Sequence, residues 1–141
     1  MSTNLKEKQE RIQKFLERLA TESAKGIPII VEGPNDEATL RELSIRGKII
    51  SAKTFRSFMH VISEIEEGGL KEVILLLDFD RRGREWTKRL TQSLEGMRIK
   101  PNVLFWKGLL SLAGREIKDI EGLTSYIKTL EKKSGAEDSK V

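Results

Sequence analysis

The sequence predicts an α/β protein: a four-stranded, mainly parallel sheet with helices on both faces, and further helices at the two ends of the chain. Three observations predict it. Short apolar runs alternate with longer stretches of helical periodicity, the pattern of parallel strands joined by crossover helices. One run, Val73-Ile74-Leu75-Leu76-Leu77, is apolar without interruption, as a strand buried on both faces requires. Two of the runs stop on carboxylates with a glycine close behind, which puts acids at the carboxyl edge of the sheet, where open parallel sheets bind ligands.

Taken in order, residues 3–23 read as a helix because Ile12, Phe15, Leu16 and Leu19 recur on one face, with Gly26 as its stop. Ile27 to Val31 forms the first strand, and Pro28 is tolerated near its start. Asp36 is the expected cap of a second helix that packs through Ala38, Leu40 and Leu43 and ends at Gly47. Lys48 to Ser51 is the second strand. Thr54 is the expected cap of a third helix, with an apolar stripe of Phe55, Phe58, Met59, Ile62 and Ile65, closed by Gly68 and Gly69. Glu72 to Leu77 is the third strand, followed by a helix from about Gly83 to Leu94 that Gly96 ends. Asn102 to Trp106 reads as the fourth strand, Leu109 to Ala113 is ambiguous, and a last helix covers Leu123 to Lys132. The expected organisation is an N-terminal helix over 1–25, a core over 26–108, a helical extension over 109–133 and a disordered tail over 134–141.

Composition narrows the chemistry. With no cysteine, disulfides, thiolate zinc sites and cysteine nucleophiles are excluded, and with His60 as the single histidine so is a histidine-rich metal site. Any metal is then a hard cation on oxygen ligands, magnesium being the usual one beside phosphates. The net charge of +4 favours an anionic partner. The charge is concentrated: Arg81, Arg82, Arg84, Lys88, Arg89, Arg98 and Lys100 face only Glu85 and Glu95 in their stretch. No apolar run approaches a membrane span and the N-terminus is charged, so the expected location is cytoplasmic. A charged fraction of 34% without cysteine resembles thermophile composition.

Glu32 follows the first strand, in Val31-Glu32-Gly33-Pro34-Asn35-Asp36. Asp78 and Asp80 follow the third, in Leu77-Asp78-Phe79-Asp80-Arg81-Arg82-Gly83, and two residues apart they share a face if the strand persists. Three carboxylates from neighbouring strand ends can hold Mg²⁺ or Mn²⁺ and leave room for water and phosphate. Glu32 can alternatively work as a general acid or base. Arg81, Arg82, Arg84, Lys88 and Arg89 then lie where a nucleic-acid backbone would pass, and Gly83 allows close backbone approach at a helix N-terminus. Glu85 can pair with Arg89. His60, Trp86, Trp106 and Tyr126 read as exposed or packing residues, and Gly33-Pro34-Asn35-Asp36 lacks the Lys-Ser/Thr of a nucleotide-hydrolysing loop.

Glu32-Gly33 with Asp36 after one apolar strand, then Asp78-x-Asp80-x-x-Gly83 after another, resembles the Toprim domain, over roughly residues 27–107. That domain occurs in topoisomerases, bacterial-type primases, OLD-family nucleases, RecR recombination proteins and the maturase of 5S ribosomal RNA. The resemblance implies a Rossmann-like fold, proton transfer by Glu32 and magnesium on Asp78 and Asp80. The short chain is most similar to small stand-alone members and to the ribosomal RNA maturase. It departs from the topoisomerases, because Tyr126 sits among Leu123, Ile127 and Leu130 on a packing face. It also shows no zinc module of the primase kind. The expected activity is therefore metal-dependent nuclease chemistry on structured RNA, ahead of DNA, with a ribonucleoprotein as a possible partner. Two alternatives stand beside it: a non-catalytic RNA, DNA or ribonucleoprotein binding module, and primase-like nucleotidyl transfer.

Overall fold

Four strands form one sheet in the order β2-β1-β3-β4: β1 is Ile29–Val31, β2 Ile49–Ser51, β3 Glu72–Leu75 and β4 Lys100–Asn102. All three pairings are parallel, with Ile30 opposite both Ile50 and Leu75, and Val73 opposite Pro101. This is a computed structural model, and it describes residues 4–138. The helices are α1 (Leu5–Ala24), α2 (Pro34–Glu42), α3 (Phe58–Glu67), α4 (Arg81–Gly96), α5 (Leu104–Ala113) and α6 (Leu123–Asp138), with a short 3₁₀ turn at Ala52–Thr54.

Strand side chains alternate between two cores. Ile29, Val31, Ile74 and Leu76 face a cluster with Ile12, Leu16 and Leu19 of α1, Leu40 of α2, Phe105 and Leu109 of α5, and Leu123 and Leu130 of α6. Ile30, Val73, Leu75 and Leu77 face the other cluster, with Val61 and Ile65 of α3 and Leu90 and Leu94 of α4. Helices therefore cover both faces, and α1 is part of the core, its Phe15 meeting Phe105 edge-on.

Five expectations are corrected. The helix after β1 is capped by Gly33, not Asp36, and stops at Glu42, five residues short of Gly47. Asp36 sits three residues inside, where its Oδ2 accepts from the Gly33 N–H at 3.0 Å. Thr54 does not cap α3 either: its hydroxyl donates back to the Ser51 carbonyl, and Ser57 accepts from the His60 N–H instead. Phe55 thus precedes the helix, and Met59 is exposed while Val61 takes the buried position. The fourth strand is Lys100–Asn102 rather than Asn102–Trp106, because Phe105, Trp106, Leu109 and Ala113 are spaced to bury one side of a helix. As the edge strand, β4 tolerates Pro101. Finally, α6 runs to Asp138, so helix occupies 134–138 where a tail is expected, and 139–141 lie outside the described residues.

Candidate metal centre

The strand order makes the site. From β1 the chain moves outward to β2, then returns across β1 to β3. Loops leaving β1 and β3 at their carboxyl ends diverge, opening a crevice at that switch point. Glu32 is the residue after β1, and Asp78 and Asp80 follow β3. One carboxylate oxygen from each of the three lies within 4.8 Å of the others.

The three acids are held differently. Glu32 is buried, its Oε1 facing the Asp78 N–H at 3.4 Å and its Oε2 4.0 Å from Nη2 of Arg82. Asp80 is exposed and caps α4, Oδ1 accepting from the Gly83 N–H at 2.7 Å. Asp78 is half-buried, and its Oδ1 has no hydrogen-bond partner. Burial pushes its pKa up to about 8, helped by a hydrogen bond with Glu32 and the negative charges of Glu32, Asp36 and Asp119. A buried oxygen with no donor, inside a ring of acids, is an unfavourable arrangement for a bare carboxylate. The donor set is all oxygen. It therefore fits a hard divalent cation, which would take Glu32, Asp78 and the free oxygen of Asp80.

Asp36 is not a ligand in this arrangement, since both its oxygens are engaged. Oδ2 holds Gly33, and Oδ1 accepts from the Glu121 N–H at 2.9 Å, while burial raises its pKa. At Gly83 a Cβ would collide with the Asp78 carbonyl, so the glycine permits a close approach of the chain's own backbone.

The cations spread over two sides of α4. Arg81 is almost fully exposed and pairs with Glu85 at 3.4 Å. Arg84 donates from Nε to the Phe79 carbonyl at 2.9 Å, which fixes its stem. Arg81, Arg84 and Lys88 border a cavity of about 570 Å³ together with Asp80 and Lys118. Arg82 turns the other way, toward Glu32. Arg89 lies over the Phe58 ring at 4.2 Å rather than against Glu85.

Several residues of the site carry no sequence signal of their own. The α5–α6 segment closes one flank: the Lys118 carbonyl accepts from the Phe79 N–H at 2.6 Å, Glu121 binds Asp36, and Asp119 adds negative charge near Asp78. Trp106 fastens the loop after β3 by donating from Nε1 to the Leu77 carbonyl at 2.9 Å. Lys53 donates its N–H to the Glu32 carbonyl at 2.8 Å. Among these only Glu121, an acid directly before Gly122, carries a local sequence pattern.

The Toprim domain model matches residues 27–105. A UPF0292 protein of Methanosarcina barkeri is 35% identical over 126 residues, which is 89% of this chain and 87% of the relative. One from Methanocaldococcus jannaschii is 38% identical, covering 84% and 91%, and one from Pyrococcus abyssi is 41% identical, covering 67% and 70%. Among solved structures, a protein from Aquifex aeolicus superposes with a TM-score of 0.65 at 26% identity, over 77% of this chain and 94% of that one. The match and the acidic cluster together support a metal-dependent, nucleic-acid-related function.

Proposed function

The chain belongs to the Toprim family, among the UPF0292 proteins, and from that premise we propose that it is a magnesium-dependent enzyme cutting phosphodiester bonds in structured RNA. The observation that carries the proposal is the convergence of Glu32, Asp78 and Asp80 around the unpartnered Asp78 Oδ1. When bound, a divalent cation supplies polarisation of a phosphoryl oxygen and offsets the charge that develops there.

The chain's own residues do the rest. Asp78 and the outer oxygen of Asp80 hold the cation, and Glu32 either joins them or moves a proton at Oε2, the oxygen turned toward Arg82. Arg82 is placed to take one phosphate oxygen next to the acids. Arg81, Arg84 and Lys88 grip the backbone along the larger cavity, and Arg89 adds charge further along α4. The proposal includes a cytoplasmic location and an RNA or ribonucleoprotein target; no described helix is long and apolar enough to cross a membrane.

Purified protein with Mg²⁺ or Mn²⁺ is expected to cut RNA, and Asp78→Ala to abolish the cutting. Equal cutting by the variant would overturn the assignment.

A second reading, a binding module without chemistry, draws on the same Arg82. Its guanidinium already faces Glu32, so partial neutralisation of the site does not require a cation. In that case RNA binding survives chelation and Glu32→Gln, and falls steeply with salt.

A further inference from the structure

On the side of Glu32 away from the larger cavity, a second cavity of about 170 Å³ opens between the 52–58 segment and α4. Its walls are Phe55, Phe58 and Trp86, with Lys53, Arg56 and Arg82 at the rim. The large side chains of the two cores, Phe105 and Leu77 among them, are sealed from solvent. These three rings are only half-buried, and Phe58 and Trp86 meet edge-on at 5.7 Å rather than closing on each other. Lys53 and Arg56 are exposed and make no ion pair among the described residues, and Lys53 lies across Gly33. At about 170 Å³ the cavity is too small for a helix or a duplex and has room for about one base-sized ring system. Aromatic walls with unpaired cations at the mouth are what a stacked base and its charged backbone select.

We infer that this cavity receives one unpaired nucleobase, stacked on Phe55 and Trp86, while the phosphates that flank it run past Lys53, Arg56 and Arg82. The inference rests on the nuclease reading and deepens it. Glu32 lines the cavity and Arg82 bridges it to the acids, so a base seated there presents an adjacent phosphodiester to the acidic centre. A base enters only when it is not paired. The substrate is thereby defined as a strand at a loop, bulge or end, and continuous duplex is excluded.

The test compares two single strands of equal length and charge, one bearing bases and one built wholly of abasic nucleotides. Binding is followed by fluorescence anisotropy in EDTA, so that neither metal nor cleavage enters. The wild-type protein is expected to bind the base-bearing strand about tenfold more tightly. Phe55→Ala brings that ratio to below about twofold without weakening the abasic strand. Phe55→Leu replaces it if circular dichroism shows the smaller side chain unfolding the loop, and Phe55→Tyr restores the ratio. Equal affinities in the wild type, or a ratio that persists in the variants, overturns the pocket. A protein that discriminates bases but never cuts leaves the pocket standing and sinks the nuclease. Failure to bind either strand removes both.

Discussion

Asp78→Asn is expected to stabilise the metal-free protein while destroying its response to metal. Asn has the shape of protonated Asp and no charge. With full charges, two carboxylate oxygens no more than 4.8 Å apart repel by at least about 3 kcal/mol at an effective dielectric of ~20, and by at least about 1 kcal/mol in water. Arg82 at 4.0 Å from Glu32 offsets part of this, and Asp78 retains some solvent contact, so a net gain of about 1–2 kcal/mol is expected. For a chain of 141 residues that corresponds to roughly 3–8 °C in Tm. The gain depends on pH in a definite direction. The folded pKa of Asp78 is raised to about 8 from 3.8, so between those values the native state holds a proton that the unfolded chain has released. Its stabilising contribution is full below about pH 4 and is lost as pH rises through 8. The variant should therefore match the wild type near pH 4 and exceed it at pH 8.5. Thermal unfolding followed by circular dichroism in EDTA reads this directly. A variant less stable than wild type at pH 8.5 would mean that Asp78 is satisfied in a way the geometry does not contain, and the metal argument would lose its basis.

Four further outcomes follow. Because the cation must displace the Asp78 proton, the apparent Mg²⁺ affinity of the wild type should rise up to about tenfold per pH unit between 6 and 8 and then level off, as measured by calorimetry. Gly83→Ala forces a Cβ into the Asp78 carbonyl and should cost about 1–3 kcal/mol in urea unfolding, together with much of the metal response. Trp106→Phe removes the donor to Leu77 and should cost about 1–2 kcal/mol in the same assay. Arg82→Ala should lower the slope of log affinity against log salt for single-stranded RNA by about 0.7, consistent with one lost phosphate contact; an unchanged slope would place the backbone elsewhere.

The centre of the sheet and the three acids were legible because they obey local rules: an uninterrupted apolar run marks a strand buried on both faces, and an acid at its end marks the edge. What failed failed for physical reasons. Val103, Phe105 and Trp106 are β-branched or aromatic, the composition of a strand, yet Phe105, Trp106 and Leu109 gain more by burying one side of α5. Thr54 and Ser57 are both competent caps, and nothing local separates them; the Lys53 N–H bound to the Glu32 carbonyl holds Thr54 in the turn that precedes the helix. Asp36 reads as a cap on its own, and its second partner lies 85 residues away. The aromatic cavity was missed because Phe55, Phe58 and Trp86 come from two separate segments, each of which alone looks like packing.

The bond from Glu121 to Asp36 reaches beyond practical biochemistry. The stretch matched by the Toprim domain model ends at residue 105, but the wall behind its acids is built from residues 117–122, and one side of its sheet is covered by α1, α5 and α6. Excised alone, residues 27–105 would bare Ile29, Val31, Ile74, Leu76 and Phe79 to water. In this protein the domain is not a cassette that can be lifted out and spliced onto another scaffold; its ends have grown into its keystone, and any transplant must carry them along.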